Sequence, residues 1–330
     1  MMVIVQAAVS QVAESGAADS EMLVNLKFEL VRTAGRSSST GSHAMTSSGQ
    51  RSYTVGNLKL QIISDGTFLQ DAGAVFGIVP KVMWERIAIE VNEKNQMTLG
   101  LNCLLVRSGG RTMLIETGMG NKLDERRRSA IYPGDYGYLL NNLAAVGVQP
   151  TDIDVVVNTH LHLDHCGWNT VSLHGRTLPT FPRARYYVQR GEYEALLNPN
   201  ERTRAAYLRE NIDPLVESGQ LEIVEGEHQI TPELRFLPAP GHTQDHACVV
   251  ITSGRETAIY TGDLVHHAVQ LERPAWIPAM DTLPLVSLET KKRLTEQMLR
   301  ENALVIVAHA SFPGTGHLSE VGGRNAWISA

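Results

Sequence analysis

Alternating apolar and polar positions from residue 57 onward predict a chain built largely of short strands. Residues 57–66 (NLKLQIISDG) alternate and then end in a turn, as a half-buried strand does. Residues 101–118 (LNCLLVRSGGRTMLIETG) hold two β-rich runs around a Gly-Gly turn, which predicts a hairpin. Residues 152–160 (DIDVVVNTH) contain a continuous run of three valines, which predicts a strand buried on both faces. Further strands are predicted within 184–189, 221–226, 234–243, 246–263 and 303–310.

Helical spacing of apolar residues recurs between these strands. The pattern predicts helices within 135–148, 192–197 and 288–302, and a further one over 205–219 that is interrupted at Pro214. Hairpins come early in the chain, and strand–helix–strand units come later. This order favours an α/β fold in which two sheets pack together with helices outside.

Composition mainly excludes certain classes of protein. Of 330 residues, 43% are hydrophobic and 19% charged, which suits a globular protein with a large core. A net charge of −6 does not favour binding to nucleic acid or to an anionic membrane. No apolar run approaches the roughly 20 residues that a membrane-spanning helix needs. The three cysteines lack any C-x-x-C pairing, so we expect no disulfide framework and a reducing, cytoplasmic location.

The first 50 residues differ from the rest of the chain. Residues 34–45 (AGRSSSTGSHAM) are small, polar and rich in Ser and Gly, as flexible linkers are. Their end, GSHAM, resembles a cloning remnant, which would make Met45 the natural start and leave His43 without a function. We therefore expect a flexible N-terminal extension over 1–50 and one domain over 51–330.

Eleven of the twelve histidines lie at or after position 160, and several follow an apolar strand. Residues 158–169 (NTHLHLDHCGWN) are the densest case. Seven side chains follow four predicted strands: His160, His162, Asp164 and His165 after the first, then His242, Asp263 and His309 after one strand each. Imidazole nitrogen and carboxylate oxygen are ligands that Zn²⁺, Fe²⁺ or Mn²⁺ accept. Because side chains two apart in an extended segment point the same way, His160 and His162 can bind one metal ion while Asp164 and His165 face a second.

These motifs resemble the metallo-β-lactamase superfamily. The resemblance rests on H-x-H-x-D-H at 160–165, GHT at 241–243, TGD at 261–263 and the late strand-end His309, and it covers residues 53 to about 320. It implies an αββα sandwich with two metal ions at one edge. By the same resemblance His160, His162 and His242 would hold the first ion, Asp164, His165 and His309 the second, and Asp263 would bridge them. Zinc is the expected metal, although these ligand types also suit Fe, Mn and Co.

A resemblance within the superfamily narrows the expected reaction. Segments 70–85 and 92–96 resemble the quorum-quenching N-acyl-homoserine lactonases, whereas 308–318 (AHASFPGTGHL) is more similar to methyl parathion hydrolase. We therefore expect lactone opening by a metal-bridging hydroxide, with Asp263 and Asp164 as catalytic residues and Asp164 orienting the hydroxide or passing on its proton. Organophosphate or aryl-ester hydrolysis is the alternative. A metal-binding module without catalysis is a third hypothesis, which the seven filled positions disfavour.

Two departures from the superfamily pattern are visible, and the substrate pocket is less defined than the metal site. Glu116 stands where the superfamily usually has the shorter acid of D-T-G, and GHTQDH replaces the more usual G-H-T-P-G-H, with His246 expected to orient another residue. Four side chains are predicted to contact substrate: Phe76, Trp84, His266 and His267. Segment 70–85 could equally form a homodimer interface, and the sequence sets neither acyl-chain length nor oligomeric state.

Overall fold

The computed structural model describes residues 51–87 and 89–330. The extension expected over 1–50, with His43 and Met45, lies outside the described residues. Among the helices of the described ranges, none combines the length and the apolar composition that crossing a lipid bilayer requires.

Strands dominate the described chain. In chain order they are β1 (Ser52–Val55), β2 (Leu58–Asp71), β3 (Gln96–Ser108), β4 (Arg111–Ile115), β5 (Gly134–Tyr136), β6 (Val155–Val157), β7 (Thr170–Leu173), β8 (Arg176–Pro179), β9 (Arg185–Gln189), β10 (Leu221–Val224), β11 (His228–Gln229), β12 (Leu234–Pro238), β13 (Ala247–Ser253), β14 (Glu256–Tyr260), β15 (Leu304–Ile306), β16 (Thr315–Val321) and β17 (Arg324–Ser329). The hairpin predicted within 101–118 is β3–β4, which pairs in antiparallel register from Leu104 opposite Ile115 to Ser108 opposite Arg111.

The strands form two large sheets and one small hairpin. The first sheet has the order β1-β2-β3-β4-β6-β9-β10, with β5 paired to β2. The second has the order β11-β12-β13-β14-β15-β16-β17, and β7 pairs with β8 alone. Strand β6 runs parallel to both β4 and β9, and its three valines are buried, so the strand predicted within 152–160 is confirmed as buried on both faces.

Side chains alternate across each sheet and so create a core between them. On β13, for example, Ala247, Val249 and Ile251 face the core shared with the first sheet, whereas Cys248 and Val250 face the opposite side. Successive strand residues point to opposite faces, so one sheet contributes to two apolar layers. The two sheets therefore pack face to face over a common core.

Helices cover the outer faces of this sandwich. The α-helices are α1 (Ala72–Phe76), α2 (Lys81–Trp84), α3 (Glu125–Ala130), α4 (Leu139–Ala145), α5 (Leu163–Cys166), α6 (Arg190–Leu197), α7 (Asp213–Glu217), α8 (Val269–Glu272) and α9 (Pro284–Glu301). Short 3₁₀ helices cover Glu85–Ile87, Pro150–Asp152, Gly167–Asn169, Arg209–Asn211 and Gly262–Leu264. Helix α9 packs on β14 and β16 of the second sheet, and α4 packs on β2 of the first. The predicted αββα layering is thus confirmed.

The helix predicted over 205–219 is wrong in extent and in the role of Pro214. The segment folds as a 3₁₀ turn at Arg209–Asn211 followed by the short helix α7, in which Pro214 occupies the first turn. Proline lacks the N–H that the first turn leaves unbonded, so it starts this helix and does not interrupt it.

Candidate metal centre

Side chains that follow four strands from two different sheets meet at one edge of the sandwich. Strand β6 of the first sheet leads into His160–His165, while β12, β14 and β15 of the second lead to His242, Asp263 and His309. Strands β14 and β15 are parallel, and β12 and β14 are both antiparallel to β13, so these three strands end on the same side. The structure brings all seven predicted ligands together.

The first group of ligand atoms contains three imidazoles and one carboxylate. Its members, whose ligand atoms lie within 4.8 Å of one another, are His160, His162, His242 and Asp263. His242 Nε2 is 3.0 Å from His162 Nδ1 and 3.2 Å from Asp263 Oδ2. His160 Nε2 is 3.8 Å from the same oxygen.

The second group lies against the other oxygen of Asp263. His165 Nε2 and His309 Nε2 are 3.1 Å apart, and they lie 3.1 and 3.0 Å from Asp263 Oδ1. Asp164 Oδ2 completes this group at 3.7 Å from His165 Nε2 and 3.6 Å from His309 Nε2. Asp263 therefore presents one oxygen to each group.

These atoms fit a metal ion better than they fit one another. A tetrahedral zinc ion with bonds of about 2.0–2.1 Å to nitrogen holds its ligands about 3.3 Å apart, which is close to the distances observed here. The buried atoms His160 Nε2 and Asp263 Oδ1 have no hydrogen-bond partner in the described structure, since the imidazole nitrogens close to Asp263 Oδ1 lie outside hydrogen-bond geometry. Buried polar atoms are normally bonded, so an atom without a partner in each of the two groups indicates that each group can hold a cation.

Burial and neighbouring charges favour the metal-binding forms of His160 and Asp263. Burial, reinforced by the adjacent imidazoles of His165 and His162, holds the pKa of His160 well below its usual value. Burial alone would raise the pKa of Asp263, but the imidazoles of His165 and His309 outweigh it and hold that pKa well below its usual range. Neutral imidazole and ionised carboxylate are the forms that bind a metal. At His165 and His309 burial alone would lower the pKa, but the carboxylate of Asp263 outweighs it and raises the pKa above its usual value, so a bound metal would displace protons there.

Hydrogen bonds on the far side of three of the rings aim the inner nitrogen at the centre. His309 Nδ1 donates to the Gly100 carbonyl at 2.8 Å, and His242 Nδ1 lies 3.1 Å from Asp281 Oδ1. His160 Nδ1 lies 3.0 Å from Thr159 Oγ1. Such outer partners fix the tautomer and orientation of ligating histidines.

Glu116 lies behind the second group. Its Oε1 accepts from the Thr159 backbone N–H at 2.8 Å, and its Oε2 lies 3.6 Å from His165 Nδ1. The residue is 2% exposed and has a φ of +63°, in the left-handed region that non-glycine residues rarely occupy. The carboxylate of this longer acid therefore lies beside His165, one of the predicted ligands.

His246 stands behind Asp263 and not among the ligands. Its Nδ1 donates to the Ala239 carbonyl at 3.1 Å, and its Nε2 accepts from the Asp263 backbone N–H at 3.0 Å. The neighbouring Gly262 has a φ of +49°, and a Cβ there would lie 2.6 Å from His246 Nε2. Because of this close approach, residue 262 has to be glycine. His246 is placed to orient Asp263 and not to bind a metal.

A cavity of about 350 Å³ opens onto both groups of ligands. Its apolar wall includes Phe68, Ala74, Leu99 and Met280, and its polar wall includes Gln70, Tyr132, Arg202 and Thr203. Among the predicted substrate contacts, His266 lines this cavity, with Nε2 3.2 Å from Asp263 Oδ2 and its ring stacked on His309.

The other three predicted pocket residues lie elsewhere, which corrects the prediction. Phe76 and Trp84 are at most 1% exposed and stack on each other at 5.3 Å, because helices α1 and α2 turn their apolar faces into the core. His267 packs near Phe76 and is not among the cavity-lining residues.

A comparison with models of known protein families shows to which family the chain belongs. The model of the metallo-beta-lactamase superfamily matches residues 98–310. The chain belongs to the metallo-beta-lactamase superfamily. The resemblance inferred from the motifs is confirmed at this level.

Individual members of the superfamily are similar over much of the chain. An N-acyl homoserine lactonase from a Bacillus species is 29% identical over 172 residues, which make up 52% of this chain and 61%, less than two thirds, of that protein. A structure described as a probable metal-dependent hydrolase from Staphylococcus aureus is 26% identical, covers 84% of this chain and 99% of its own, and has a TM-score of 0.77. A dizinc quorum-quenching lactonase, solved with a product, shares the fold at 23% identity and a TM-score of 0.70, over 86% of this chain and 97% of its own. The family and the Staphylococcus aureus structure indicate a metal-dependent hydrolase.

Two buried acids of this superfamily member were missed from the sequence. Asp281 contacts His242, and Glu192 contacts the backbone of the His160–His162 loop. Both lie far along the chain from what they contact, so no local spacing marks them. A single carboxylate at the end of the apolar run PAWIPAMD (274–281) was the available signal for Asp281.

Proposed function

We propose that this metal-dependent hydrolase opens N-acyl-homoserine lactones and holds two zinc ions. The observation that carries the proposal is Asp263, whose two oxygens face two separate groups of nitrogen and oxygen ligands at the cavity floor. The similarity to an N-acyl homoserine lactonase supports the substrate class. The dizinc relative supports the choice of metal.

The proposed ligand sets follow the two groups. His160, His162 and His242 would hold one ion, Asp164, His165 and His309 the other, and Asp263 would contact both. When bound, two such ions polarise the carbonyl of a lactone and supply an activated water at neutral pH.

The chain's own groups would bind the lactone and handle its proton. Asp164 lines the cavity and is 15% exposed in its side chain, so its carboxylate can take a proton from the attacking water and return it to the ring oxygen as the ring opens. His266 lines the same wall and can orient a substrate oxygen through its ring. Phe68, Leu99 and Met280 offer the apolar surface that an acyl chain would contact.

A paired assay tests the substrate class. We expect kcat/KM to be higher for a long-chain acyl-homoserine lactone than for methyl parathion, and we expect activity on both to fall when the metal is removed. His228→Ala, on β11, is a control for the loss of one histidine outside the seven proposed ligands. The reverse order of kcat/KM would replace the lactonase proposal by the phosphotriesterase alternative.

A further inference from the structure

A buried carboxylate lies outside the seven proposed ligands and between the loops that carry three of them. Glu192 occupies the first turn of α6, directly after β9, and is 1% exposed. A carboxylate this deeply buried is costly unless several donors bond to it. The groups that donate hydrogen bonds to Glu192 therefore indicate the structural role of this residue.

Three donors from three segments converge on Glu192. The Leu161 backbone N–H donates to Oε2 at 3.0 Å, and the Tyr207 hydroxyl donates to the same oxygen at 3.3 Å. The Thr243 hydroxyl donates to Oε1. A carboxylate can accept all three bonds without donating any.

Each donor is next to a proposed ligand. Leu161 lies between His160 and His162, after β6 of the first sheet, and Thr243 directly follows His242, after β12 of the second. The one carboxylate therefore ties together two loops that belong to different sheets.

Tyr207 extends this contact to the side of His162. The two rings meet edge to face with centroids 4.9 Å apart, and the two backbones form an isolated antiparallel bridge. The hydroxyl of Tyr207 bonds to Glu192, so the ring that packs on His162 is held by the same carboxylate.

We infer that Glu192 is a positioning residue that sets the spacing of His160, His162 and His242 for the first metal ion. The inference rests on the proposed two-metal function, because it presumes that these three imidazoles bind one ion. The hydrogen bonds of Glu192 go to Leu161, Thr243 and Tyr207 and not to the three imidazole rings, so Glu192 acts on the rings through these neighbours. Removal of the Glu192 carboxylate should therefore weaken the binding of the first metal ion and leave the binding of the second unchanged.

Metal content and affinity in Glu192 variants test the inference without an activity assay. We expect Glu192→Ala, loaded with zinc and dialysed against a chelator, to hold one of its two ions about 10- to 100-fold more weakly than the wild type. Glu192→Gln should restore most of that affinity, because its oxygen can accept from Leu161 and Tyr207 while its amide donates to Thr243. Glu233→Ala is the matched control, since Glu233 also accepts from two hydroxyls, of Ser108 and Thr231, at the opposite end of β12.

Double variants identify which ion is affected. In a His160→Ala background, in which the first group can no longer bind its ion, Glu192→Ala should not lower the metal content any further. In a His309→Ala background it should remove or weaken the ion that remains. Coupling to His160 and additivity with His309 is the pattern expected of a residue that acts through the first group.

The outcomes separate this inference from the proposed function. A wild-type protein that does not bind two ions contradicts the proposed function itself. A folded Glu192→Ala that binds both ions as tightly as the wild type overturns the inference alone. If Glu192→Ala fails to fold, Thr243→Val, which is nearly isosteric and removes one donor, should still weaken the same ion, and unchanged affinity in that variant also overturns the inference.

Discussion

At the scale of single residues, Glu116 explains how the site accommodates an acid that is one methylene longer than the usual aspartate. The left-handed backbone at this position, with a φ of +63°, accompanies a side chain that reaches both the Thr159 N–H and His165 Nδ1. Strained backbone that persists at a functional site indicates that its surroundings hold it there. The longer acid therefore keeps a carboxylate beside His165.

Glu116→Gln tests whether this contact matters. With its oxygen accepting from Thr159, the amide would direct N–H groups toward the N–H of His165 Nδ1, so we expect metal affinity or kcat to fall about 10- to 100-fold. Glu256→Gln, where an exposed carboxylate accepts from the Gly56 N–H, is the control. Unchanged metal affinity and kcat in Glu116→Gln would show that His165 does not depend on Glu116.

His246 gives a prediction about pH. Burial first, and the neighbouring His242 second, lower the pKa of His246 from 6.5 to about 3. The unfolded chain therefore binds a proton below pH 6.5 that the folded chain refuses, so the stability from this residue is complete above pH 6.5 and declines as pH falls toward 3. Relative to His246→Gln, which cannot titrate, the metal-free wild type should lose up to about 1.4 kcal/mol of unfolding free energy per pH unit over this window.

Urea unfolding of both proteins between pH 7 and pH 5 measures this difference. The same comparison for His228→Gln, on β11, gives the background for removing a histidine outside the site. Parallel pH profiles for the wild type and His246→Gln would mean that His246 is not held neutral by the fold.

At the scale of elements, Asp65 on β2 ties together three segments that flank the ligand loops. Its Oδ2 accepts from the backbone N–H groups of Met119 and Gly120, and its Oδ1 accepts from Leu139 N–H and Trp168 Nε1–H. Trp168 follows the H-x-H-x-D-H segment by three residues. Strand β2 therefore anchors the segment that directly follows Asp164 and His165, two of the proposed ligands.

Asp65→Asn should destabilise the fold by about 1–3 kcal/mol for each donor left unsatisfied, because an amide nitrogen cannot accept the two bonds on one side. The free energy of unfolding of metal-free protein measures the loss. Asp154→Asn is a graded control, since Asp154 accepts one N–H, from Thr112 at 2.9 Å. A loss in Asp65→Asn no larger than that in Asp154→Asn would contradict the anchoring role.

Elements with a strong period were predictable, and those shaped by distant contacts were not. The β3–β4 hairpin and helix α9 follow their apolar periods because each buries one face. Segment 205–219 has helical spacing, yet it folds as a 3₁₀ turn followed by the short helix α7. The apolar composition of 70–85 could not distinguish a pocket wall from a core, and the structure buries Phe76.

At the scale of the whole molecule, the site exists because two sheets end at a common edge. The strand-end positions of the seven proposed ligands could be seen in the sequence, and the resemblance to a known superfamily implied their arrangement around two ions. Glu192 and Asp281 could not be found in that way, because their contacts join segments that only the folded sandwich brings together. The flexible extension over 1–50, the cytoplasmic location and a homodimer stay predictions.

Metal content measured on the purified, zinc-loaded chain tests the two-ion centre most directly. We predict two ions per wild-type chain and fewer than two in Asp263→Ala, because that variant removes a side chain whose two oxygens face the two groups. A wild-type chain that retains no zinc, or that is fully active with a single ion, would contradict the proposed centre.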